Sequence, residues 1–199
     1  MTSTSDGQRE ILRALIRAYV GEVRRLSLAD LRRRQAPPWV SIGYGAAGVA
    51  YALWRVARRE RGRARLALAH RWWRQAMGGS RWRDAFSARG DPPVPARLTA
   101  WSLSDGPAGL PFVGALIAHE RGERAVSARQ VGRFLDFCRP DAGRPPELLH
   151  GTAGLLVGGL TLLAHTADRR LPGTVDALAR ELLADPAILN MVTWSRDHV

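Results

Sequence analysis

The sequence predicts an all-α protein built from helical hairpins. Three strongly apolar segments recur along the chain, and each is followed by an amphipathic segment with helical spacing. Between the repeats there is no alternation of apolar and polar residues long enough for a strand. We therefore predict apolar helices inside the protein and amphipathic helices outside.

Composition supports one globular domain or a part of one. The chain has 199 residues, 46% of them hydrophobic and 24% charged, which excludes a disordered protein. The net charge is +12 and every basic residue is arginine. Such a positive field favours acidic peptides, phosphates or nucleic acid as partners. The single cysteine, Cys138, excludes an internal disulfide.

The first hairpin region begins with an amphipathic helix predicted over residues 8–26. A linker containing "QAPP" follows, because consecutive prolines exclude a helix there. Residues 47–57 are apolar or small on nearly every face, which is typical of a buried helix. Residues 63–77 form the amphipathic partner.

The second hairpin follows a long irregular stretch, residues 78–99, that is rich in glycine and proline and predicts a loop. Residues 108–120 form the next apolar helix, with Pro111 in the first turn, where its missing N–H costs little. The amphipathic partner is predicted over residues 127–138, with Ser127 as its N-cap.

The third hairpin pairs an apolar helix at residues 152–164 with an amphipathic helix at 173–185, followed by a weakly patterned tail. The apolar run is shorter than the ~20 residues that a membrane span needs. The polar N-terminus lacks the pattern of a signal peptide. We therefore expect a soluble, cytoplasmic protein without a membrane partner.

An internal repeat underlies this pattern. The motif x-G-x-A-G opens each apolar helix, as "YGAAG" at 44–48, "DGPAG" at 105–109 and "HGTAG" at 150–154. The predicted organisation of the single domain 1–199 is an N-terminal helix and linker (1–38), repeat 1 (39–99), repeat 2 (100–140), repeat 3 (141–185) and a tail (186–199).

The glycines of these motifs have two interpretations. The first glycine can adopt backbone angles closed to other residues, and the second lets a neighbouring helix start pack closely. Free N–H groups of three first turns would then make an anion-tolerant mouth. Tight packing alone requires the same glycines, and for the motifs by themselves we favour it. The residues predicted to line a cavity at the helix starts are Gly45, Gly48, Asp105, Gly106, Gly109, His150, Gly151 and Gly154.

The three motifs, with their flanking residues, resemble the lanthionine synthetase C-like (LanC-like) family of peptide cyclases. The matching segments are "SIGYGAAGVAYALWRVAR", "LSDGPAGLPFVGALIAHERG" and "ELLHGTAGLLVGGLTLLA", and the resemblance covers residues 39–185. Members of that family form an α/α toroid of seven hairpins. The resemblance therefore implies that this chain is a partial α/α toroid of three hairpins.

The resemblance also implies a role in lanthipeptide biosynthesis, in which a thioether forms in a dehydrated precursor peptide. In the family, later repeats hold a zinc ion through two cysteines and one histidine. The sequence contains no "CHG" motif of that kind, and zinc–thiolate chemistry needs those soft ligands. We therefore expect no cofactor in this chain, which would be truncated or one part of a split enzyme. Its expected partners are the precursor peptide or a second chain that completes the toroid.

His150 is a weak candidate for catalysis. Its "HG" resembles the family's "AHG", in which the histidine transfers protons, but its "ELL" context matches a position that is tyrosine in animal relatives. We favour a role as a helix-start residue that lines the cavity. No metal site is predicted: His70 and His119 each lie on a predicted helix, His165 and His198 end segments, and a solvated or helix-terminal role is favoured for all four.

Two carboxylates, Asp105 and Glu147, lie near the second and third helix starts. They could meet across a ring, but capping or exposed loop charge is the interpretation we favour.

An alternative function for the chain is a non-catalytic helical scaffold. Its basic groove, with Arg55, Arg58 and Arg59, would bind an acidic peptide or a partner protein.

Nucleic-acid binding through arginine and tryptophan is a weaker alternative, since the arginines fall on the outer faces of amphipathic helices.

An incomplete toroid leaves two apolar edges where neighbouring hairpins would pack. We therefore predict self-association, dependence on a partner, or poor solubility.

Overall fold

A computed structural model describes residues 3–82, 84–86, 100–141, 143–186 and 188. All regular secondary structure in these residues is helical, which confirms the all-α prediction for that part of the chain. No helix within it is long and apolar enough to cross a membrane. Within the described ranges the helices are α1 Ser3–Arg25, α2 Leu28–Arg34, α3 Ala46–Glu60, α4 Arg63–Gly79, α5 Gly109–Glu120, α6 Arg124–Phe137, α7 Thr152–Thr166 and α8 Leu171–Leu183.

Three helical hairpins form the body of the protein. Helix α3 packs on α4, α5 on α6 and α7 on α8, while α5 also contacts both α3 and α7. Every residue from Gly109 to Ala118 is buried, because α5 has neighbours on all sides. The arrangement is repeat-like, with α5 as the central helix.

Two tryptophans of α4 attach the first hairpin to its surroundings. The Nε1–H of Trp72 donates to the Val23 carbonyl of α1, and that of Trp73 donates to the Leu110 carbonyl of α5, each at 3.0 Å. Gly114 makes room for the second contact, since a Cβ there would lie 2.7 Å from the Trp73 ring. Both indoles are thus buried with their donors satisfied.

Helix α2 lies in the segment for which we predicted a linker. Ser27 caps it: the Asp30 N–H donates to Ser27 Oγ at 3.3 Å, and the Ser27 N–H donates to Asp30 Oδ2 at 2.8 Å. This reciprocal pair is a capping box, with aspartate in the place usually held by glutamate or glutamine. The prolines do not prevent this helix, since its C-cap is Gln35 and the helix therefore ends before Pro37 and Pro38.

The prediction of Ser127 as an N-cap is wrong. Helix α6 begins three residues earlier, at Arg124, after the N-cap residue Glu123. Ser127 is buried instead, and its hydroxyl donates to the Ala115 carbonyl of α5 at 3.0 Å. This bond holds the second hairpin together in the core.

The remaining helix boundaries differ from prediction mainly at their ends. Helix α1 begins at Ser3 rather than residue 8. Helix α3 continues to Glu60, beyond the predicted apolar stretch, because the apolar pattern does not include its last turn, which is charged and solvent-exposed. The predicted loop begins later than expected, since Gly78 and Gly79 belong to α4. Its residues 87–99, like tail residues 189–199, lie outside the described part of the chain.

Arg144 fastens the third hairpin to the second. Its side chain is 0% exposed and donates to Glu181 of α8, with Nη2–Oε2 and Nη2–Oε1 distances of 2.7 and 2.9 Å. The guanidinium also donates to the Phe137 carbonyl at the end of α6 and to Thr152 Oγ1 at the start of α7. One buried cation therefore joins three helices, and neither Arg144 nor Glu181 is singled out by the sequence analysis.

Candidate functional site

The three x-G-x-A-G motifs place their second glycine in the same way. A Cβ on Gly48, Gly109 or Gly154 would collide with the carbonyl oxygen of the residue six positions earlier; for Gly109 the distance to the Leu103 oxygen would be 2.5 Å. The backbone before each inner helix therefore crosses directly over the first helical turn. Glycine is required at these positions by the lack of space for a side chain.

The same turns also pack on one another. A Cβ on Gly109 would lie 2.9 Å from Ile42 Cδ1 of the first repeat, and one on Gly154 would lie 3.7 Å from Leu103 Cβ of the second. Ile42 and Leu103 hold equivalent positions before α3 and α5. Each helix start therefore contacts the turn of the repeat before it, as the packing interpretation expects.

The first glycines do not use the freedom that we predicted for them. Gly45 and Gly151 have φ values of −127° and −138°, which other residues also adopt. Their role is again one of space, since a Cβ at either would collide with backbone atoms of the preceding loop. The explanation by unusual backbone angles is therefore wrong for these two glycines.

The prediction of an anion-tolerant mouth also fails at α3 and α7. The Ala46 N–H donates to the Trp39 carbonyl at 2.8 Å, and the Thr152 N–H donates to the Pro145 carbonyl at 2.9 Å. The next residue of each helix, Ala47 and Ala153, donates to the following loop carbonyl. These donors are therefore used within the protein and are not free to bind an anion.

A histidine and two carboxylates meet beside these turns. His150 Nδ1 lies 2.6 Å from Glu147 Oε1, and its Nε2 lies 3.3 Å from Asp105 Oδ2. The His150 and Asp105 side chains are each only 17% exposed. Asp105 and Glu147 thus both face His150. The favoured interpretation as a cap or an exposed loop charge holds for Glu147, whose side chain is 46% exposed, but not for the largely buried Asp105.

Hydrogen bonds fix Asp105 in place. Its N–H donates to Ser102 Oγ at 2.8 Å, and Ser102 in turn donates to the Leu149 carbonyl in a short bond. Ser104 Oγ donates to Asp105 Oδ1 at 3.2 Å. Gly43 lies against this carboxylate, where a Cβ would be 2.6 Å from Oδ1. The turns of all three repeats therefore meet at Asp105.

His150 connects the second and third repeats. Each of its ring nitrogens faces a carboxylate, so neither is directed to an open space where a substrate could sit. A general acid or base needs one nitrogen within reach of the reacting group. The observed geometry is that of a positioning residue that holds two loops together.

An apolar cavity of about 250 Å³ lies next to this cluster. Of the residues predicted to line a cavity, Gly154 lines it directly, whereas Asp105 and His150 lie one residue away in sequence from the lining residues Ser104 and Leu149. The aromatic residues of its wall, Tyr51 and Phe112, were missed, because they lie inside the apolar stretches of α3 and α5 where the sequence pattern indicates only a buried helix. The lining residues are Ile42, Tyr51, Leu103, Ser104, Phe112, Leu148, Leu149, Gly154, Val157 and Thr161.

The residues of this chain do not fit the zinc site that the resemblance implies for the family. Cys138 is buried, its Sγ contacts the Phe134 carbonyl at 3.5 Å, and burial raises its pKa to about 12. A zinc ligand must be a thiolate. Within the described ranges no three histidine, cysteine or acidic side chains are placed to hold a metal ion.

The environment of Cys138 predicts an unreactive thiol. Its raised pKa leaves very little thiolate at mildly alkaline pH, and the sulfur is shielded from solvent. We expect the native protein to resist iodoacetamide, whereas the protein unfolded in guanidinium chloride should be alkylated completely. Mass spectrometry of the two samples measures this difference. Rapid alkylation of the native protein would contradict the buried placement of Cys138.

A comparison with protein-family models and a comparison with curated proteins each return no significant match to this chain.

Proposed function

We propose that this chain is a LanC-like helical-hairpin protein that binds a peptide at the starts of its inner helices. The observation that carries the proposal is the apolar cavity of about 250 Å³, framed by the turns of three repeats and held by the Asp105–His150–Glu147 cluster. In this proposal the three hairpins are part of an α/α toroid, and the precursor peptide of a lanthipeptide is the ligand.

The chemistry of the cavity suits an apolar side chain of a peptide. Its wall is mostly aliphatic and aromatic, with the hydroxyls of Ser104, Tyr51 and Thr161 as its polar side-chain groups. Ligand sites commonly combine an apolar wall with a few polar groups that fix orientation. The exposed side chains of Leu148 and Leu149 extend the apolar surface beyond the cavity.

The proposal assigns binding, not cyclisation, to the residues of this chain. His150 positions the loops around the cavity, and no described residue provides a reactive thiolate. Thioether formation would then require a second chain that completes the ring. Such a chain would cover exposed apolar surface at the edge formed by α7 and α8, such as Leu183, which lines neither this cavity nor the larger one between α3 and α7.

A peptide titration tests this function. The probe is a fluorescein-labelled synthetic peptide rich in serine, threonine, cysteine and leucine, and its anisotropy is followed as protein is added. Val157→Asp places a carboxylate at the cavity wall, where binding would bury it without a partner. We expect at least a roughly tenfold loss of affinity, since desolvating an unpaired charge is costly.

Leu183→Asp is the matched control. Leu183 is also a helical, solvent-exposed apolar residue, but it does not line the cavity. This variant adds the same charge and should bind the peptide as the unaltered protein does. Equal affinities for both variants, or no binding by the unaltered protein, would refute the proposed site.

A further inference from the structure

A second cavity of about 650 Å³ lies between the C-terminal halves of α3 and α7. Its lining includes the arginines 55, 58 and 59 of α3, together with Trp54, Thr161 and His165. No carboxylate is among the residues that line it. The cavity therefore combines a concentrated positive charge with aromatic surface.

Two of the three arginines are available to a ligand. Arg55 and Arg59 are exposed and form no ion pair with another residue in the described ranges. Arg58 is held in place: its Nε lies 3.3 Å from Glu120 Oε2, and its Nη1 donates to His165 Nδ1 at 2.6 Å. His165 can accept that bond because burial, followed by the charge of Arg58, lowers its pKa and favours the neutral ring.

Trp54 is an unusual residue in the wall of this cavity. Its side chain is buried, at 1% exposure, yet its Nε1–H has no acceptor on any described residue. The other two buried tryptophans, Trp72 and Trp73, each donate to a carbonyl. A buried donor without a partner is unusual, because it gives up hydration without compensation.

The surroundings of Trp54 fit an anion. Arg58 lies over its ring at 5.5 Å, and the His165 ring meets it edge-on at 5.3 Å. The groups that line the cavity and can donate hydrogen bonds to a ligand are mainly the guanidinium forks of its arginines. They outnumber the two oxygens of a single carboxylate, whereas a phosphate group offers more acceptors in a tetrahedral arrangement.

We infer that this cavity is a binding site for a small phosphate-bearing ligand, with Arg55 and Arg59 as its charged contacts and the Trp54 ring as part of its wall. The inference concerns the second cavity, which borders the first at Tyr51 and Thr161, and its test does not depend on peptide binding. A run of acidic peptide side chains carries the same sign of charge, and the test includes it as a competing ligand.

The experiment is a titration of the ¹⁵N-labelled full chain with inorganic phosphate at constant ionic strength, observed by NMR. The indole cross-peak of Trp54 is assigned with the Trp54→Phe variant. We expect this peak to shift and saturate as phosphate is added. The double variant Arg55→Gln/Arg59→Gln should bind phosphate at least roughly tenfold more weakly, because two charge-assisted contacts are lost.

The matched control is Arg129→Gln/Arg133→Gln. These arginines are also four residues apart on one helix, exposed and outside the cavity, and they form no ion pair in the described part of the chain. The control lowers the net charge equally and should weaken binding by less than about twofold. Equal losses in the two double variants would show unspecific attraction to a basic protein and overturn the inference.

Two further results would also overturn it. One is the absence of any Trp54 shift at millimolar phosphate. The other is saturation by a hexaglutamate peptide that phosphate cannot displace, which would assign the cavity to an acidic peptide. Displacement of a weakly bound hexaglutamate by phosphate is the result we expect.

Discussion

Replacing Glu181 by alanine is expected to lower the free energy of unfolding by about 3 kcal/mol, since it leaves a buried guanidinium without its counter-charge. Arg144 is fully buried, and both oxygens of Glu181 accept from it at 2.7 and 2.9 Å. The remaining partners, the Phe137 carbonyl and the Thr152 hydroxyl, carry no formal charge to balance it. Urea denaturation of the variant and of the unaltered protein measures the difference.

Asp176→Ala provides a control on the same helix. Asp176 pairs with Arg180, but both side chains are more than half exposed, so the loss should be below about 1 kcal/mol. The double variant Arg144→Met/Glu181→Leu should recover much of the stability, because it removes the buried charge of Arg144 together with its partner. If Glu181→Ala lowers the free energy of unfolding no more than Asp176→Ala does, the result would contradict the stabilising role of the contacts between Arg144 and Glu181.

Gly154→Ala is expected to destabilise the protein by about 3 kcal/mol, the upper end of the range for overpacking. The added methyl group would collide with the Leu148 carbonyl oxygen, which is backbone and cannot move without shifting the whole turn before α7. That turn contains His150 and forms part of the apolar cavity. The change should therefore weaken peptide binding as well as lower the melting temperature.

Gly173→Ala in α8 makes the same chemical change without a collision, because nothing lies within 4 Å of the Cβ position. Alanine is the better helix former by roughly 1 kcal/mol, so this variant should be as stable as the unaltered protein or more so. Thermal denaturation followed by circular dichroism compares the two. Equal melting temperatures for Gly154→Ala and the unaltered protein would be inconsistent with the close backbone crossing.

The sequence predicts the helices whose burial pattern is strong. Residues 108–120 are apolar on every face, and the corresponding helix α5 is buried all round. Prediction from the sequence fails for a short polar helix that depends on its cap. Helix α2 is seven residues long, and only Ser27 and Asp30 mark its beginning. A proline pair nearby suggests a linker, although the helix ends before the prolines are reached.

The site is harder to predict, because its contacts join residues that are distant in sequence. Asp105 and His150 are both visible as members of repeated motifs, but their meeting depends on how the turns of two repeats cross. The sequence correctly shows that glycines recur at these positions. It does not show that they are needed because a side chain would have no space. Spacing shows that small residues recur; only the backbone path shows that Gly45 and Gly151 avoid a collision at ordinary angles.

The turns before α3 and α7 have a consequence for modularity. Each supplies the carbonyl acceptors for the first N–H groups of its own helix, so that helix start is complete without a neighbour. A neighbouring hairpin could be added or removed without leaving these helix-start donors unsatisfied, and the backbone bond between repeats from the Gly43 N–H to the Ser104 carbonyl lies in the turn before the helix. The main cost of an array boundary is then the exposure of apolar side chains such as Leu183, which a surface substitution could make polar.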